Sequence, residues 1–92
     1  KLNKILCDTA IKGSRAAVAI QLTHPKININ HKIGDRSTAL MLAAESGHLE
    51  TVDLLLAHPN IDVTVKNNMR QTVLHVAVIN NHERVVKALL AH

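Results

Sequence analysis

Seven histidines, one cysteine and seven carboxylates are the groups in this 92-residue chain that could do chemistry. To act, they would have to converge as a metal site, a thiol beside a histidine base, or a pair of carboxylates exchanging protons. Their spacing argues against convergence. His24, His58 and His92 are one position repeated every 34 residues, and so are His48 and His82. Equivalent side chains in a periodic chain point in parallel, whereas a metal needs ligands meeting at one point about 2 Å away. Cys7 has histidines elsewhere in the chain, but no third group or oxyanion donor is legible beside it. Asp8, Asp35, Glu45, Glu50, Asp53, Asp62 and Glu83 are scattered, and Gly13, Gly34 and Gly47 are isolated rather than gathered into a phosphate-cradling loop. The chain is expected to carry no catalytic residue, no metal and no cofactor.

The periodicity that disperses the histidines also defines the elements that hold them. Thr38 to His58 recurs almost position for position from Thr72 to His92, and a fainter copy lies one period upstream. Leu6, Ala10, Gly13, Val18, Leu22, His24 and Pro25 there match Leu40, Ala44, Gly47, Val52, Leu56, His58 and Pro59. A period in this range means stacked supersecondary units rather than one globular core. Within each copy the apolar residues fall at helical spacing, as in Leu40, Ala43, Ala44 and in Val52, Leu55, Leu56. Between the two stretches sit Lys12-Gly13-Ser14, Ser46-Gly47-His48 and Asn80-Asn81-His82. Glycine and asparagine most readily take the left-handed conformation that closes a helix. Each unit therefore reads as two antiparallel helices of about ten residues joined by a tight turn.

Proline bars helix at the residue before it, so the second helices should stop at His24-Pro25 and His58-Pro59. Residues 60–65 then alternate apolar with polar, and Gly34-Asp35 and Asn67-Asn68 supply turn chemistry. A short hairpin-like loop should project from the stack between units. Phe, Tyr and Trp are absent although 47% of the residues are hydrophobic, so burial must come from small aliphatic contacts between thin helices. The histidines that end helices are expected to cap them, where an imidazolium meets the negative end of the helix dipole.

In these residues the chain resembles the ankyrin repeat family. The family's helix-opening pattern T-P-L-H-x-A is present as Thr72-Val73-Leu74-His75-Val76-Ala77 and as Thr38-Ala39-Leu40-Met41-Leu42-Ala43. Its G-H followed by V-V-x-L-L-L is present as Gly47-His48 and Thr51-Val52-Asp53-Leu54-Leu55-Leu56. The resemblance implies an all-α repeat solenoid of helix-turn-helix units with short β-hairpin-like loops. One domain, 1–92, is expected, with repeat 1 at about 1–34 and incomplete, repeat 2 at about 35–68 and repeat 3 at about 69–92. There are departures. Ala39 and Val73 replace the family's proline, and Arg36 and Arg70 replace its loop glycine, which challenges the turn at each tip. Thr9 and Gln21 stand where Ala43 and Leu55 would be, so the first unit should be the loosest.

Solenoids bind through faces made of equivalent positions. In the ankyrin family that surface comprises loop tips and the exposed side of each first helix. Carried onto this chain, the candidate partner-binding residues are Lys32, Asp35, Arg36 and Ser37 in the first loop and Glu45 in the helix after it. In the next loop come Lys66, Asn68, Met69, Arg70 and Gln71, and in the helix after it Ile79 and Asn80. Met69 and Ile79 are the expected apolar anchors. Lys32 and Lys66 recur one period apart, as do Arg36 and Arg70, so four cations should line one edge and steer an acidic protein segment.

Three functions remain open on these grounds. The leading one is a non-catalytic protein-interaction module. A second is the targeting or substrate-positioning part of a larger enzyme or secreted microbial effector; the wealth of Asn, Ile and Lys is similar to products of AT-rich microbial genomes. A third is an anionic-ligand binder, for nucleic acid or membrane surface; without aromatics, base stacking is closed to it. The formal net charge of +4 allows this without demanding it. A single cysteine and no apolar run of about 18 residues fit a cytoplasmic protein, or the host cytosol for an effector. The chain begins at Lys1 without a Met and reads as a segment of a longer protein. A monomer is expected, with Val85 left open at the end of the stack and Val86, Leu89 and Leu90 packed on the preceding unit.

Overall fold

The computed structural model describes residues 2–92, which form six α-helices. They are α1 (Leu2–Lys12), α2 (Arg15–Leu22), α3 (Ala39–Ser46), α4 (Leu49–Leu56), α5 (Val73–Ile79) and α6 (Glu83–Ala91). Each odd helix pairs with the even helix after it. First helices stack on first helices, α1 on α3 on α5, and second helices on second, α2 on α4 on α6. This is the all-α repeat solenoid expected from the period. Two adjacent layers of helices leave the loops between units to run along one edge.

The tight turns form as their residue types require. Gly13, Gly47 and Asn81 all take positive φ, at 71°, 74° and 59°. The next N–H then reaches back to a helical carbonyl: Ser14 to Thr9, His48 to Ala43 and His82 to Ala77. That is the pattern by which a left-handed residue closes a helix and satisfies its last carbonyls. The second helices stop at Leu22 and Leu56, two residues short of the His-Pro pairs. His24 and His58 belong to the turn that follows: their Nδ1 atoms accept the backbone N–H of Lys26 and Asn60, each at 3.1 Å.

The core is a continuous row of Leu6, Ala10, Val18, Leu40, Ala44, Val52, Leu55, Val73, Ala77 and Val85, with the loop residues Ile27, Ile33, Ile61, Val63 and Val65 packed against it. The polar pair in the first unit is satisfied where aliphatic residues stand in the second. Gln21 Nε2 donates to Thr9 Oγ1 at 3.0 Å, tying α1 to α2.

At the last helix the expected register is corrected. Val85 is buried and faces the second unit, as Thr51 faces the first. Leu90 is 68% exposed, although its equivalent Leu56 is only 8% exposed. In this stack the second-helix position represented by Val85 packs backward, and the position represented by Leu90 packs forward. No described residue covers the forward-facing leucine.

Candidate interaction surface

The loop tips are built by short hydrogen-bonded turns. Ile33 and Ser37 exchange backbone hydrogen bonds at 2.9 and 3.1 Å around the first tip, an isolated antiparallel bridge. At the second tip the Asn67 N–H donates to Gln71 O at 3.1 Å. The Asn67 side-chain oxygen accepts from the N–H groups of Met69 and Gln71 at 2.9 and 3.0 Å. Both turns carry an arginine in the left-handed region, Arg36 at φ 68° and Arg70 at φ 61°. The turn the family builds with glycine is thus kept without it, at a conformational cost of about 1–2 kcal/mol per residue for an L side chain.

Neighbouring loops are joined by backbone and amide contacts rather than by side-chain packing alone. Asn68 N–H donates to Asp35 O at 2.8 Å, which sets the spacing of the two tips. Further back, Asn30 Nδ2 donates to Asn60 O at 2.8 Å while its Oδ1 accepts from Asp62 N–H at 2.9 Å. One side chain thereby serves both polar groups of the next loop, as a strand neighbour would.

Between the tips and the first helices lies a shallow groove of about 150 Å³. It is lined by Asp35, Ser37, Met41, Glu45, Asn67, Met69, Gln71, Val76, Ile79 and Asn80. Seven of the expected residues meet here: Asp35, Ser37, Glu45, Met69, Gln71, Ile79 and Asn80. Ser37 requires correction as a free surface residue, since its bridge with Ile33 leaves it buried in the groove floor. Met69 and Ile79 are 76% and 61% exposed, so the core uses neither. Lys32, Arg36, Lys66, Asn68 and Arg70 are exposed but do not line the groove. Lys32 also lies near enough to Asp62 to help lower its pKa, after the hydrogen bonds from the Thr64 hydroxyl and N–H. The floor residues Met41, Asn67 and Val76 escaped sequence reasoning. Met41 and Val76 look like ordinary helix-core residues, and only the loop fold turns them toward the cleft.

The histidines serve as connectors. His48 Nε2 donates to Ile11 O at 2.9 Å and His82 Nε2 to Glu45 O at 2.8 Å, each clipping its unit to the one before. His92 Nε2 reaches Leu56 O at 3.1 Å, a third bond between units. His75 Nδ1 pairs with the Thr72 N–H at 3.3 Å and its hydroxyl at 2.9 Å, closing the start of α5. In the second unit Thr38 Oγ1 accepts from Met41 N–H at 3.3 Å instead. The sequence reading assigned capping and turn roles and missed the clips between units. The 34-residue interval alone cannot distinguish a bond within a unit from one across units.

Cys7 is buried, and its thiol is pushed up from the ordinary 9.0 to about 11, first by burial and then by the charge of Asp8. A thiol so protonated is a poor nucleophile at neutral pH. Among the described residues no three histidine, cysteine or acidic side chains gather as a metal would need. Among the described residues no helix is long and apolar enough to cross a membrane.

A stack of helix pairs with an open groove and loop tips that differ from unit to unit is the architecture of repeat proteins. The chain belongs to the ankyrin repeat family: residues 6–92 match the family described as ankyrin repeats in three copies. Ankyrin repeats are protein–protein interaction modules and are generally non-catalytic. Among curated proteins no sequence matches the chain. Among solved structures it is similar to a chain in the complex of the Bd0816 predatory endopeptidase from Bdellovibrio bacteriovorus with immunity protein Bd3460. The likeness has a TM-score of 0.86 and 32% identity, and covers 94% of this chain but 44% of that one. With 218 solved chains matching, the fold by itself selects no partner.

Proposed function

We propose that the chain is a non-catalytic module that holds a partner protein across the groove between its second and third units. The observation that carries this reading is the pair Met69 and Ile79, two large apolar side chains left exposed in the lining of one cleft. Solvent-exposed apolar anchors beside polar neighbours are the arrangement from which a few residues supply most binding energy. Arg36 and Arg70 support it, because both hold a cation at a tip where glycine would be easier. Asp35 and Glu45 lie within the groove itself. The fitting partner therefore lays an acidic stretch along the tips and turns amide or basic side chains, with an apolar one, into the cleft. The chain works in the cytosol as a monomer at ordinary concentration.

The test is capture of a partner with the wild-type chain, followed by affinity measurement with variants. Met69→Ala and Ile79→Ala should each weaken binding by about tenfold or more. Arg36→Glu with Arg70→Glu should slow association and reduce its salt dependence, with helical content unchanged. Full affinity in all these variants would remove the groove as the binding site.

The structural likeness favours one refinement: the partner is an enzyme that this chain restrains, as an immunity protein accompanies the endopeptidase in the similar complex. On this reading the activity of the captured partner falls when the chain is added in stoichiometric amount. An unchanged activity leaves simple docking or substrate positioning. A nucleic-acid or anionic-membrane ligand would instead show a steep loss of affinity between two salt concentrations.

A further inference from the structure

We infer, resting on the reading of this groove as the partner site, that the cleft between the second and third units seats one arginine side chain of the partner, flanked there by acidic residues. At about 150 Å³ the cleft is smaller than the roughly 300–1,000 Å³ of a small-molecule pocket, so a single long side chain is the guest that fits. The charged residues of its lining are both negative. Asp35 comes from the first loop tip and Glu45 from the last turn of α3.

Both carboxylates are available to a guest. The two residues enter the scaffold through their backbone oxygens: Asp35 O accepts the Asn68 N–H at 2.8 Å, and Glu45 O accepts from His82 Nε2 at 2.8 Å. Their side chains stay exposed. Beside them, Asn80 Nδ2 donates to Val76 O at 2.8 Å, which leaves its side-chain oxygen as a further acceptor in the same lining. Such a set of acceptors suits a cation with several N–H groups. Met69 and Ile79 offer exposed apolar surface for the methylene stem of that cation, which a bare ion would leave uncovered. Guanidinium fits better than the lysine ammonium, because it is less strongly hydrated and its rigid fork meets separate acceptors at once.

The rim carries the opposite sign. Arg36 follows Asp35 in the chain and Arg70 follows Met69, and both are exposed outside the groove. Lys32 and Lys66 stand on the same two loops. A wholly basic segment would be repelled by these cations, and a wholly acidic one would be repelled by the cleft itself. The pattern that complements both regions is a central cation with acidic neighbours. A protein segment can carry that pattern. Nucleic acid cannot, because its uniform phosphates would meet Asp35 and Glu45.

Capped peptides of alternating glutamate and serine around one central residue are the probe, the centre being arginine, lysine, citrulline or leucine. Binding to the 92-residue chain is read by calorimetric titration. The arginine peptide should bind about tenfold or more tighter than the citrulline peptide, which keeps the shape and loses the charge. Asp35→Asn with Glu45→Gln should abolish that preference while the circular dichroism spectrum stays that of the wild type. Equal binding of the arginine, citrulline and leucine peptides overturns the proposal. So does tighter binding of lysine than arginine, no binding of the arginine peptide at millimolar concentration, or a preference that survives in the double variant. A captured partner separates this proposal from the broader reading. Affinity lost with Met69→Ala or Ile79→Ala but kept with Asp35→Asn and Glu45→Gln removes the arginine and retains the groove, whereas full affinity in every variant removes both.

Discussion

The second and third units share one residue pattern and have very different surroundings. Leu56 and Leu90 occupy one position, as do Ala44 and Val78, and in both pairs only the former is buried. The second unit is packed on both sides, by α1 and α2 below and by α5 and α6 above. The third is packed on one. Burial in a stack is therefore a property that a neighbour confers, and identical residues need not contribute equally to stability. The face proposed for recognition behaves differently: Met69 and Ile79 are exposed, and their equivalents Asp35 and Glu45 stay exposed beside the next unit.

The largest expected effect tests that contrast directly. Leu55→Ala removes a fully buried side chain from the middle of the row and should cost about 2–5 kcal/mol. Leu90→Ala should stay within about 0.5 kcal/mol under dilute conditions. Urea denaturation of both variants decides it. Similar losses would mean that the third unit is covered in solution.

Next comes the junction glycine. Gly47→Ala forces a left-handed alanine against the His82 ring, and should lose about 1–2 kcal/mol from the backbone alone. Asn81→Gly at the uncovered equivalent should change stability by at most about 0.5 kcal/mol. If thermal unfolding shows the two sites to be equally sensitive, the clip does not distinguish them.

A gain is expected at the tips. Arg70→Gly relieves a left-handed arginine at φ 61° and should raise stability by about 0.5–1 kcal/mol, net of the entropy glycine adds to the unfolded chain. The same variant should bind its partner less well. A stabilising change that leaves affinity untouched would detach the arginine from recognition.

The remaining effect lies in the first unit. The Cys7 thiol has a folded pKa of about 11 against an ordinary 9.0. Between those values the unfolded chain loses the proton first, so stability should fall as pH rises from 9 to 11 and be unaffected below. At neutral pH the rate of Cys7 alkylation should follow opening of the first unit. If alkylation proceeds faster than global unfolding, that unit opens before the other two, as its Thr9 and Gln21 substitutions suggest.

Much of this architecture could be read from residue types. The turn at Gly47 and its counterpart at Asn81 were legible because few residues tolerate positive φ, and the chain places them at equal intervals. Met69 and Ile79 were legible as surplus apolar groups outside the helical pattern. The direction of Val85 was not. On α6 the apolar residues Val85, Val86, Leu89 and Leu90 span more than one face, and periodicity does not say which side meets the preceding unit. Ser37 was misread for a related reason: a polar residue in a loop looks solvated until its bridge to Ile33 closes.

The sequence alone determined the repeating unit: its helix pair, its turns, its aliphatic seam and its family. These follow from short-range rules, because φ preference, helical spacing and proline sterics act within a few residues. Only the tertiary structure decided what each repeated residue does. Whether His48 caps its own turn or bonds Ile11 across the junction depends on how one unit sits on another. Whether a leucine is core or surface depends on whether a further unit is there to cover it. Those are contacts between residues far apart in the chain, and a local pattern that repeats faithfully carries no mark of which copy stands in the middle.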